Sequence, residues 1–276
     1  MDNNLLEKAP LGKKCGYVSN YDETLLFPIP RDMQRKKLGI LDGNFSFSGF
    51  DLLNAYEMSW LNGKGKPVVA IGRFVIPSSS PCLIESKSFK LYLNSFNDTE
   101  FDDIAAVKEV LKKDLNAAAG AEVSVEVFEL EDYPVDIHSG LPGESIDNLD
   151  VEIDTYNLNS DFLKASGDYC EETLNSNLLK SNCLITGQPD WGSIVVEYKG
   201  TQIDREGLLK YIVSFRRHND FHEHCVEKIF CDIMQKCSPE ALTVYAKYTR
   251  RGGLDINPLR TTEKNLTPAY IRLIRQ

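Results

Sequence analysis

Residues 90–96 read KLYLNSF, and residues 209–215 read LKYIVSF. At one constant offset, from 92 to 211, the two stretches share three residues: Tyr92 with Tyr211, Ser95 with Ser214, and Phe96 with Phe215. The same offset aligns Val107 with Val226, and the strand-like run 123–128 with 242–247. An internal repeat of this length indicates one structural unit used twice.

Each half of the chain repeats one order of predicted elements. Strand-like runs, apolar or alternating, come first, at 67–76 and 193–200. Two helical patterns follow in each half, at 86–96 and 101–115, and again at 204–215 and 221–234. A strand closes each unit, at 122–130 and 241–249. This order predicts an α+β fold in which helices cover one face of an antiparallel sheet.

The segment between the halves predicts a domain boundary. Pro134, Gly140, Pro142 and Gly143 are typical of a linker, and LDVEIDTYN (149–157) alternates like one further strand. We therefore expect two domains, 1–150 and 151–276. Sheets of this kind leave open edges, which favour assembly into a larger barrel or an oligomer.

Composition and charge exclude several classes of protein. The 276 residues carry a net charge of −10, whereas broad nucleic-acid binding needs a basic surface. No stretch approaches the ~20 apolar residues of a membrane span, and the N-terminal residues lack the apolar block of a secretory signal. Seven cysteines without C-x-x-C spacing are expected to be mostly free thiols. We therefore expect a cytoplasmic protein without nucleic-acid or membrane partners.

The stretch SNCLITGQPDWGS (181–193) contains the best candidate nucleophile. Cys183 lies in a polar, turn-rich segment, and a nucleophilic cysteine needs partial access and a nearby proton shuttle. Asp190 follows seven positions later, and a carboxylic acid near a covalent adduct is suited to protonating it. The alternatives are a buried structural cysteine and an aspartate that only stabilises the turn.

The stretch FHEHC (221–225) raises the question of a metal site. His222, His224 and Cys225 have the ligand chemistry of zinc, but side chains at positions i and i+2 of a helix point about 200° apart. The two histidines are therefore not expected to share one ion. Glu223 is either a helix-start acid favoured by the dipole or a carboxylate presented to paired N–H donors, such as a guanine-like edge.

Two short basic segments are candidate phosphate sites. In ESKSFK (85–90), Ser86 and Ser88 lie at a predicted helix start, where backbone N–H groups bind phosphates, and Lys87 and Lys90 share one face. In YTRRGGLDINP (248–258), two arginines precede two glycines that allow close approach of a ligand. Solvated surface charge is the alternative for both. The sequence contains no G-x-G-x-x-G motif, so a dinucleotide would not be bound as in a Rossmann fold.

Together these segments resemble one family, the NADPH-dependent 7-cyano-7-deazaguanine reductases of queuosine biosynthesis (a tRNA modification), in their long two-unit bacterial form. The resembling segments are 57–65, 83–97, 178–194, 202–230 and 244–258. The resemblance implies two tandem tunnelling-fold (T-fold) units, whose sheets pair into barrels across the subunits of a homodimer. It implies an oxidoreductase that converts the nitrile of 7-cyano-7-deazaguanine into the amine of 7-aminomethyl-7-deazaguanine, using two NADPH per turnover and no metal.

The resemblance also implies roles for individual residues. Cys183 would add to the nitrile and form a covalent thioimide, and Asp190 would protonate the nitrogen. The implied contacts to the deazaguanine involve Ile84, Glu85, Ser86, His222 and Glu223. The implied contacts to NADPH involve Ser86, Lys87, Arg251 and Gly252.

Two other functions stay open on the residues alone. A zinc-dependent hydrolase of the cyclohydrolase kind, on the same fold, would need converging Cys and His ligands, and three of the four histidines fall between 218 and 224. A non-catalytic purine- or pterin-binding module would anchor a base on Glu223 and leave Cys183 inert. A zinc measurement separates the first alternative, and the reactivity of the thiol separates the second.

Overall fold

The chain forms long antiparallel strands and a few helices over the residues that this computed structural model describes, 16–40, 47–134, 136–264 and 270–276. The strands are β1 (Pro28–Pro30), β2 (Ser48–Leu61), β3 (Pro67–Pro77), β4 (Cys82–Ile84), β5 (Ser124–Phe128), β6 (Asp136–His138), β7 (Glu144–Ser145), β8 (Ala165–Ser176), β9 (Lys180–Asn182), β10 (Pro189–Ile203), β11 (Ala241–Tyr248), β12 (Leu254–Thr261) and β13 (Ile271–Leu273). The α-helices are α1 (Asp32–Arg35), α2 (Ser86–Asn94), α3 (Ile104–Ala119), α4 (Arg205–Ser214) and α5 (His222–Cys237), with 3₁₀ turns at Glu23–Leu25, Lys36–Leu38, Ser160–Phe162 and Phe215–Arg217. The fold is therefore mixed α+β with antiparallel sheets.

The described residues form two compact units. Unit 1 contains those within Met1–Met33, Leu52–Pro134 and Arg250–Asp255. Unit 2 contains those within Gln34–Asp51, Val135–Thr249 and Ile256–Gln276. These bounds follow from contacts, whereas the division near residue 150 concerns the two copies of the repeat and stays a prediction.

Unit 1 packs α2 and α3 against a small antiparallel sheet. Strands β3 and β5 pair from Ile71–Phe128 to Val75–Ser124, and β2 lies on the other side of β3. Helix α3 begins at an Asp103 cap, whose Oδ1 accepts a hydrogen bond of 2.8 Å from the Ala106 N–H. The apolar side chains on its buried face are almost fully removed from water, which stabilises the unit: Val107, Leu111, Leu115 and Ala119.

Unit 2 is built around β10, a strand of 15 residues. Strand β10 pairs antiparallel with β8 on one edge and with β11 on the other, and its first residues also pair with β9. Helix α5 packs against β10 and β11, and its buried side chains join those of both strands in one apolar core. This core fixes the register of β10, because a shift by one residue would turn its buried residues toward solvent.

The residues matched by the repeat make the same contacts in each unit. Tyr92 Oη donates a hydrogen bond of 2.6 Å to Asp114, and Tyr211 Oη donates one of 2.6 Å to Asp232. The ring of Tyr92 meets Phe96 edge to face at 5.2 Å, and the ring of Tyr211 meets Phe215 at 5.3 Å. The two serines also act alike, since the Oγ of each donates 2.6 Å to the carbonyl three residues earlier. Each unit therefore joins its two main helices by one buried tyrosine–aspartate pair.

The elements predicted within the repeat are confirmed. The predicted strands correspond to β3, β5, β10 and β11, and the predicted helices correspond to α2, α3, α4 and α5. The prediction of a strand at 149–157 is wrong, because these residues belong to no strand. Leu149 and Val151 instead pack, partly buried, against the unit 2 core from a segment without regular secondary structure.

Two other observations bear on the chain as a whole. Within the described ranges, no helix is long and apolar enough to cross a membrane. The described cysteines are free thiols: Cys82, Cys170, Cys183, Cys225, Cys231 and Cys237. Cys15 lies outside the described residues.

Candidate active site

A tight hairpin between β9 and β10 brings Cys183 and Asp190 together in unit 2. Asp190 pairs directly with Ser181, and Pro189 pairs with Asn182. One step beyond the last pair, the Cys183 N–H donates a hydrogen bond of 2.8 Å to the carbonyl of Gln188. The ladder therefore extends to the residue that carries the candidate nucleophile.

The register of this hairpin places Cys183 and Asp190 on one face. Residues directly opposite each other share a face of an antiparallel pair, and so do residues two apart along one strand. Ser181 stands opposite Asp190 and two positions before Cys183, so all three side chains lie on the same face. Diagonal neighbours of this kind are about 7–8 Å apart, which is within reach of one small group bound between them. Both residues are buried, at 6% exposure for Cys183 and 3% for Asp190.

The loop at 183–188 closes on a glycine. The Gly187 N–H donates a hydrogen bond of 3.0 Å to the carbonyl of Cys183, and its φ of 65° lies in the left-handed region. Only glycine adopts this conformation without a steric cost from Cβ. The sequence ITGQPD therefore folds back where it does because Gly187 ends the turn.

Helix α5 brings His222 to this pair. His222 is the first residue of the helix, and its Nε2 lies 3.7 Å from Oδ1 of Asp190. Its ring also meets the ring of Tyr248 edge to face, with centroids 4.2 Å apart. The imidazole of His222 therefore lies beside the carboxyl group that shares a face with the Cys183 thiol, and these are the groups needed for covalent catalysis with proton transfer.

Glu223 follows in the first turn of α5. Its residue exposure is 4%, so it is buried although it carries a carboxylate. The dipole of the helix favours a negative charge at this end. A buried carboxylate at this position has the chemistry to accept two parallel N–H donors.

A cluster of Asp220 with two histidines supports the strand that leads to Cys183. Asn182 forms two backbone hydrogen bonds with this segment, accepting from Asp220 at 3.0 Å and donating to His218 at 2.8 Å. Asp220 lies 3.7 Å from Nε2 of His218 and 3.4 Å from Nδ1 of His224. Burial alone would raise the pKa of Asp220, but these two histidines lower it to about 2. Asp220 is therefore a carboxylate at any physiological pH.

A second buried cluster lies behind Asp190. Ser181, Cys225 and Tyr248 are each 0–1% exposed, and Ser181 Oγ and Tyr248 Oη form no hydrogen bond of good geometry within the described part of the chain. Burial raises the pKa of the Cys225 thiol and of the Tyr248 hydroxyl well above their ordinary values, and the neighbouring Asp190 adds to both shifts. Both groups therefore stay protonated.

In unit 1, Ile84 and Glu85 precede helix α2 and are 2% and 0% exposed. The two carboxylate oxygens of Glu85 each accept 2.7 Å from a backbone N–H, one of Lys87 and one of Ser88. Burial raises the pKa of Glu85, although these two hydrogen bonds act against it. Glu85 therefore already caps two of the N–H groups at the helix start where the sequence predicts a phosphate site, and that site stays a prediction.

The basic side chains of unit 1 nevertheless gather beside the 250–253 turn. A Cβ on Gly252 would meet only carbon atoms of Lys90, at 3.8 Å or more, so its backbone is open to a ligand. Arg250 lies over the ring of Tyr56 at 5.5 Å, and Lys90 forms an ion pair with Glu57. Ser86 and Lys87 occupy the first turn of the helix that carries Lys90. This cluster suits a phosphate through side chains and one glycine backbone.

His222 and His224 face different carboxylates, Asp190 and Asp220, as predicted for positions i and i+2 of a helix. Among the described residues, no group of three or more His, Cys, Asp or Glu side chains is arranged to hold a metal ion.

Comparison with known proteins decides the family. The model of the family described as nitrile reductase, 7-cyano-7-deazaguanine-reductase N-term, matches residues 17–127, and that of the QueF-like protein family matches 189–267. The NADPH-dependent 7-cyano-7-deazaguanine reductase of Dechloromonas aromatica is 56% identical over 269 residues, 97% of this chain and 95% of that protein. This chain belongs to the 7-cyano-7-deazaguanine reductase family.

Other members of the family are similar over nearly their whole length. The reductase of Chromohalobacter salexigens is 52% identical, covering 98% of each chain, and that of Bordetella avium is 54% identical, covering 98% of this chain and 99% of that one. An archaeosine synthase QueF-Like structure in the apo form covers 35% of this chain and 94% of that chain, at 19% identity and a TM-score of 0.30. A similarity that low carries no argument.

The reductase-family chain contains supporting residues that the sequence analysis missed. Asp220, His218 and Tyr248 reach the Cys183 hairpin only through the pairing of Asn182 and Gly192 with segments about 35 to 55 positions away. No local pattern marks them, because the contact depends on strand register rather than on spacing. The two histidine neighbours of Asp220, His218 and His224 in the stretch HNDFHEH (218–224), were the only available signal.

Proposed function

We propose that this chain reduces the nitrile of 7-cyano-7-deazaguanine to the amine of 7-aminomethyl-7-deazaguanine with NADPH, as a cytoplasmic oxidoreductase of queuosine biosynthesis. Its near full-length similarity to reductases of that name supports the overall reaction. The observation that carries the chemistry is the β9–β10 register, which sets a buried thiol and a buried carboxyl group on one face. Neither a cyclohydrolase-like zinc enzyme nor a binding module needs this pair.

Cys183 begins the reaction by adding to the nitrile. Its sulfur forms a bond to the nitrile carbon, one π bond of C≡N breaks, and the electron pair moves to nitrogen. Asp190 supplies the proton that nitrogen then needs, and the thiol proton leaves the sulfur for the emptied carboxylate. The product is a neutral thioimide, whose carbon is a better electrophile than that of a free nitrile. Burial of the site keeps water from competing.

Cys183 must also leave, because the amine product carries no sulfur. The C–S bond breaks when the nitrogen lone pair of the singly reduced adduct forms a C=N bond, and Asp190 or the adjacent His222 carries a proton from that nitrogen to the departing sulfur, which restores the starting thiol. When bound, NADPH supplies the hydrides, of which the conversion of nitrile to amine takes two.

The base of the substrate is recognised by carboxylates. We assign the paired N–H groups of the deazaguanine edge to Glu223, which is buried at the start of α5. Ile84, Glu85 and Ser86 complete the substrate contacts. A carboxylate oxygen can accept two hydrogen bonds, so Glu85 can serve as helix cap and as acceptor for the base.

The cofactor is assigned to the basic cluster of unit 1. Ser86, Lys87, Arg251 and Gly252 supply a hydroxyl, two cations and an open backbone, which suits the phosphates of NADPH. Because Glu85 occupies the α2 N–H groups, the phosphates are held by side chains rather than by the helix dipole.

The finer architecture is also part of the proposal. We propose that the two repeat copies are T-fold units, and that homodimer formation joins their sheets into barrels. The matched tyrosine–aspartate pairs of the two units support a common origin. Open sheet edges, as at β5 and β7, favour pairing with another subunit.

Intact-mass spectrometry tests the covalent step. The protein is mixed with 7-cyano-7-deazaguanine without NADPH, and we expect a gain of one substrate mass that disappears after NADPH is added. The gain should be absent in Cys183→Ala and present in the control Cys231→Ala, which removes a half-buried thiol of α5. If the base binds but no adduct forms in the parent protein, the covalent mechanism is refuted.

A further inference from the structure

The ring of Tyr248 packs edge to face against the His222 ring. The two ring planes meet at 76° with centroids 4.2 Å apart, which is close for an edge-to-face pair. Tyr248 ends β11 and is 1% exposed, so its ring has little freedom to move. Its contact therefore restricts the tilt of the imidazole.

The same ring rests on the strand that carries Asp190. Tyr248 pairs in register with Gly192, two residues after Asp190. A Cβ at Gly192 would lie 3.2 Å from two ring carbons of Tyr248 and 3.2 Å from a methyl group of Leu179. The ring thus occupies the space that a side chain at position 192 would need. Because residue 192 is glycine, the Tyr248 ring can lie directly against the strand.

We propose that Tyr248, held by Gly192, is a positioning residue that orients His222 toward Asp190. His222 and Asp190 come from separate elements, α5 and β10, and their 3.7 Å separation exceeds the hydrogen-bond range. Their mutual orientation therefore does not rest on this contact alone. Tyr248 touches both sides, because it packs on the His222 ring and on the strand of Asp190. The role rests on the proposed function, in which His222 lies against the reacting group.

The ring, rather than the hydroxyl, carries this role. Tyr248 Oη is buried and makes no hydrogen bond of good geometry to any described residue. Burial also raises the pKa of this hydroxyl well above its ordinary value, so it stays protonated. Removal of the hydroxyl should therefore be tolerated, whereas removal of the ring should not.

The test compares Tyr248→Phe and Tyr248→Leu by steady-state kinetics, each in the parent protein and in His222→Ala. Misplacement of a catalytic group by about 1 Å costs on the order of 100-fold in rate. We expect Tyr248→Phe to keep kcat within about threefold, and Tyr248→Leu to lower kcat by about 10- to 100-fold with little change in KM. In the His222→Ala background, Tyr248→Leu should add almost nothing, because both changes remove the same contribution. Multiplicative losses, or equal losses in the Phe and Leu variants, would overturn the proposal.

Gly192→Ala is a milder probe of the same contact. Its φ is not in the left-handed region, so alanine adds no backbone strain and only displaces the Tyr248 ring by a few tenths of an ångström. We expect a loss of a few-fold in kcat that is absent in the Tyr248→Leu background. Thermal unfolding of each variant identifies any that fail to fold.

A spectroscopic measurement separates this proposal from the assignment of the reaction. In the ligand-free protein, the Tyr248 ring should shift the NMR signals of the His222 ring protons. Tyr248→Phe should preserve that shift and Tyr248→Leu should abolish it, whatever the protein reduces. An unchanged His222 signal in Tyr248→Leu would overturn the positioning role even if nitrile reduction is verified. A missing thioimide with the expected NMR changes would instead refute only the reaction.

Discussion

The Gly187→Ala substitution isolates the closure of the Cys183 loop. Gly187 has a φ of 65°, and an added Cβ would meet no atom within 4 Å, so the change introduces backbone strain without a clash. Left-handed backbone costs an L-residue roughly 1–2 kcal/mol, which corresponds to a factor of about 5–30 in an equilibrium. The strain falls on the turn that holds Cys183 through the Gly187 and Gln188 hydrogen bonds. We expect the closed loop to lose this free energy relative to open conformations.

The assay is the rate of adduct formation, followed by intact-mass spectrometry after rapid mixing with 7-cyano-7-deazaguanine and quenching. The rate should fall by about 5- to 30-fold in Gly187→Ala. Gly187→Asn is the matched control, because asparagine tolerates the left-handed conformation far better than alanine. It should therefore react closer to the parent rate. The reasoning is refuted if alanine reacts as fast as glycine, or if asparagine and alanine are equally slow.

Three further changes test other parts of the structure. The pKa of Asp220 is lowered to about 2 by His218 and His224, so the stability that its carboxylate contributes is full above about pH 4 and is lost as the pH falls toward 2. Asp220→Asn should therefore lower the free energy of unfolding by about 2 kcal/mol at pH 7. In urea unfolding from pH 2 to 7, the free energy of unfolding of this variant should change less with pH at the acid end than that of the parent protein. Glu227 accepts hydrogen bonds from Arg35 and Arg260 and is 0% exposed, so Glu227→Gln should cost about 3–5 kcal/mol by thermal unfolding, whereas the exposed control Glu240→Gln should change little. Arg251→Ala should raise KM for NADPH while adduct formation without NADPH keeps the parent rate.

The elements of the repeat could be predicted because their patterns are local. Alternation in β3 and a helical apolar face in α3 are visible in single windows of sequence, and the repeat made each assignment twice. Strand β2 was missed because six consecutive residues, 50–55, are buried, so no alternation appears. Strand β12 was missed because its residues are all buried although several are polar, among them Asp255, Asn257 and Arg260. Buried ion pairs such as Arg260 with Asp51 allow polar side chains to be buried in β12. Such pairs join residues far apart in the sequence, so no local pattern predicts them.

In the candidate site too, the features with a local sequence pattern could be predicted, and those that depend on other contacts could not. Cys183 and Asp190 could be proposed from sequence because Gly187 and Pro189 mark a turn between them, and a turn brings its two ends together. The sequence could not show that two backbone N–H groups at the start of α2 already have an acceptor. Glu85 precedes the helix by one residue, and its side chain takes the N–H groups that the prediction reserved for a ligand.

The four main helices differ in whether a side chain caps the backbone N–H groups at the start of the helix. The first helix of each unit begins after an acidic cap at equivalent positions, Glu85 and Asp204. The buried carboxylate of Glu85 therefore has a structural reason for its place, independent of any ligand. The second helices differ, since α3 follows a capping Asp103, whereas α5 follows Phe221, whose side chain accepts no hydrogen bond. The absence of a side-chain cap costs about 1 kcal/mol. In α5 this cap is absent directly before His222, which lies beside Asp190, and Glu223, which is assigned to the base. Local rules are most often broken at functional sites, so the uncapped start of α5 supports the proposal that Glu223 binds the base.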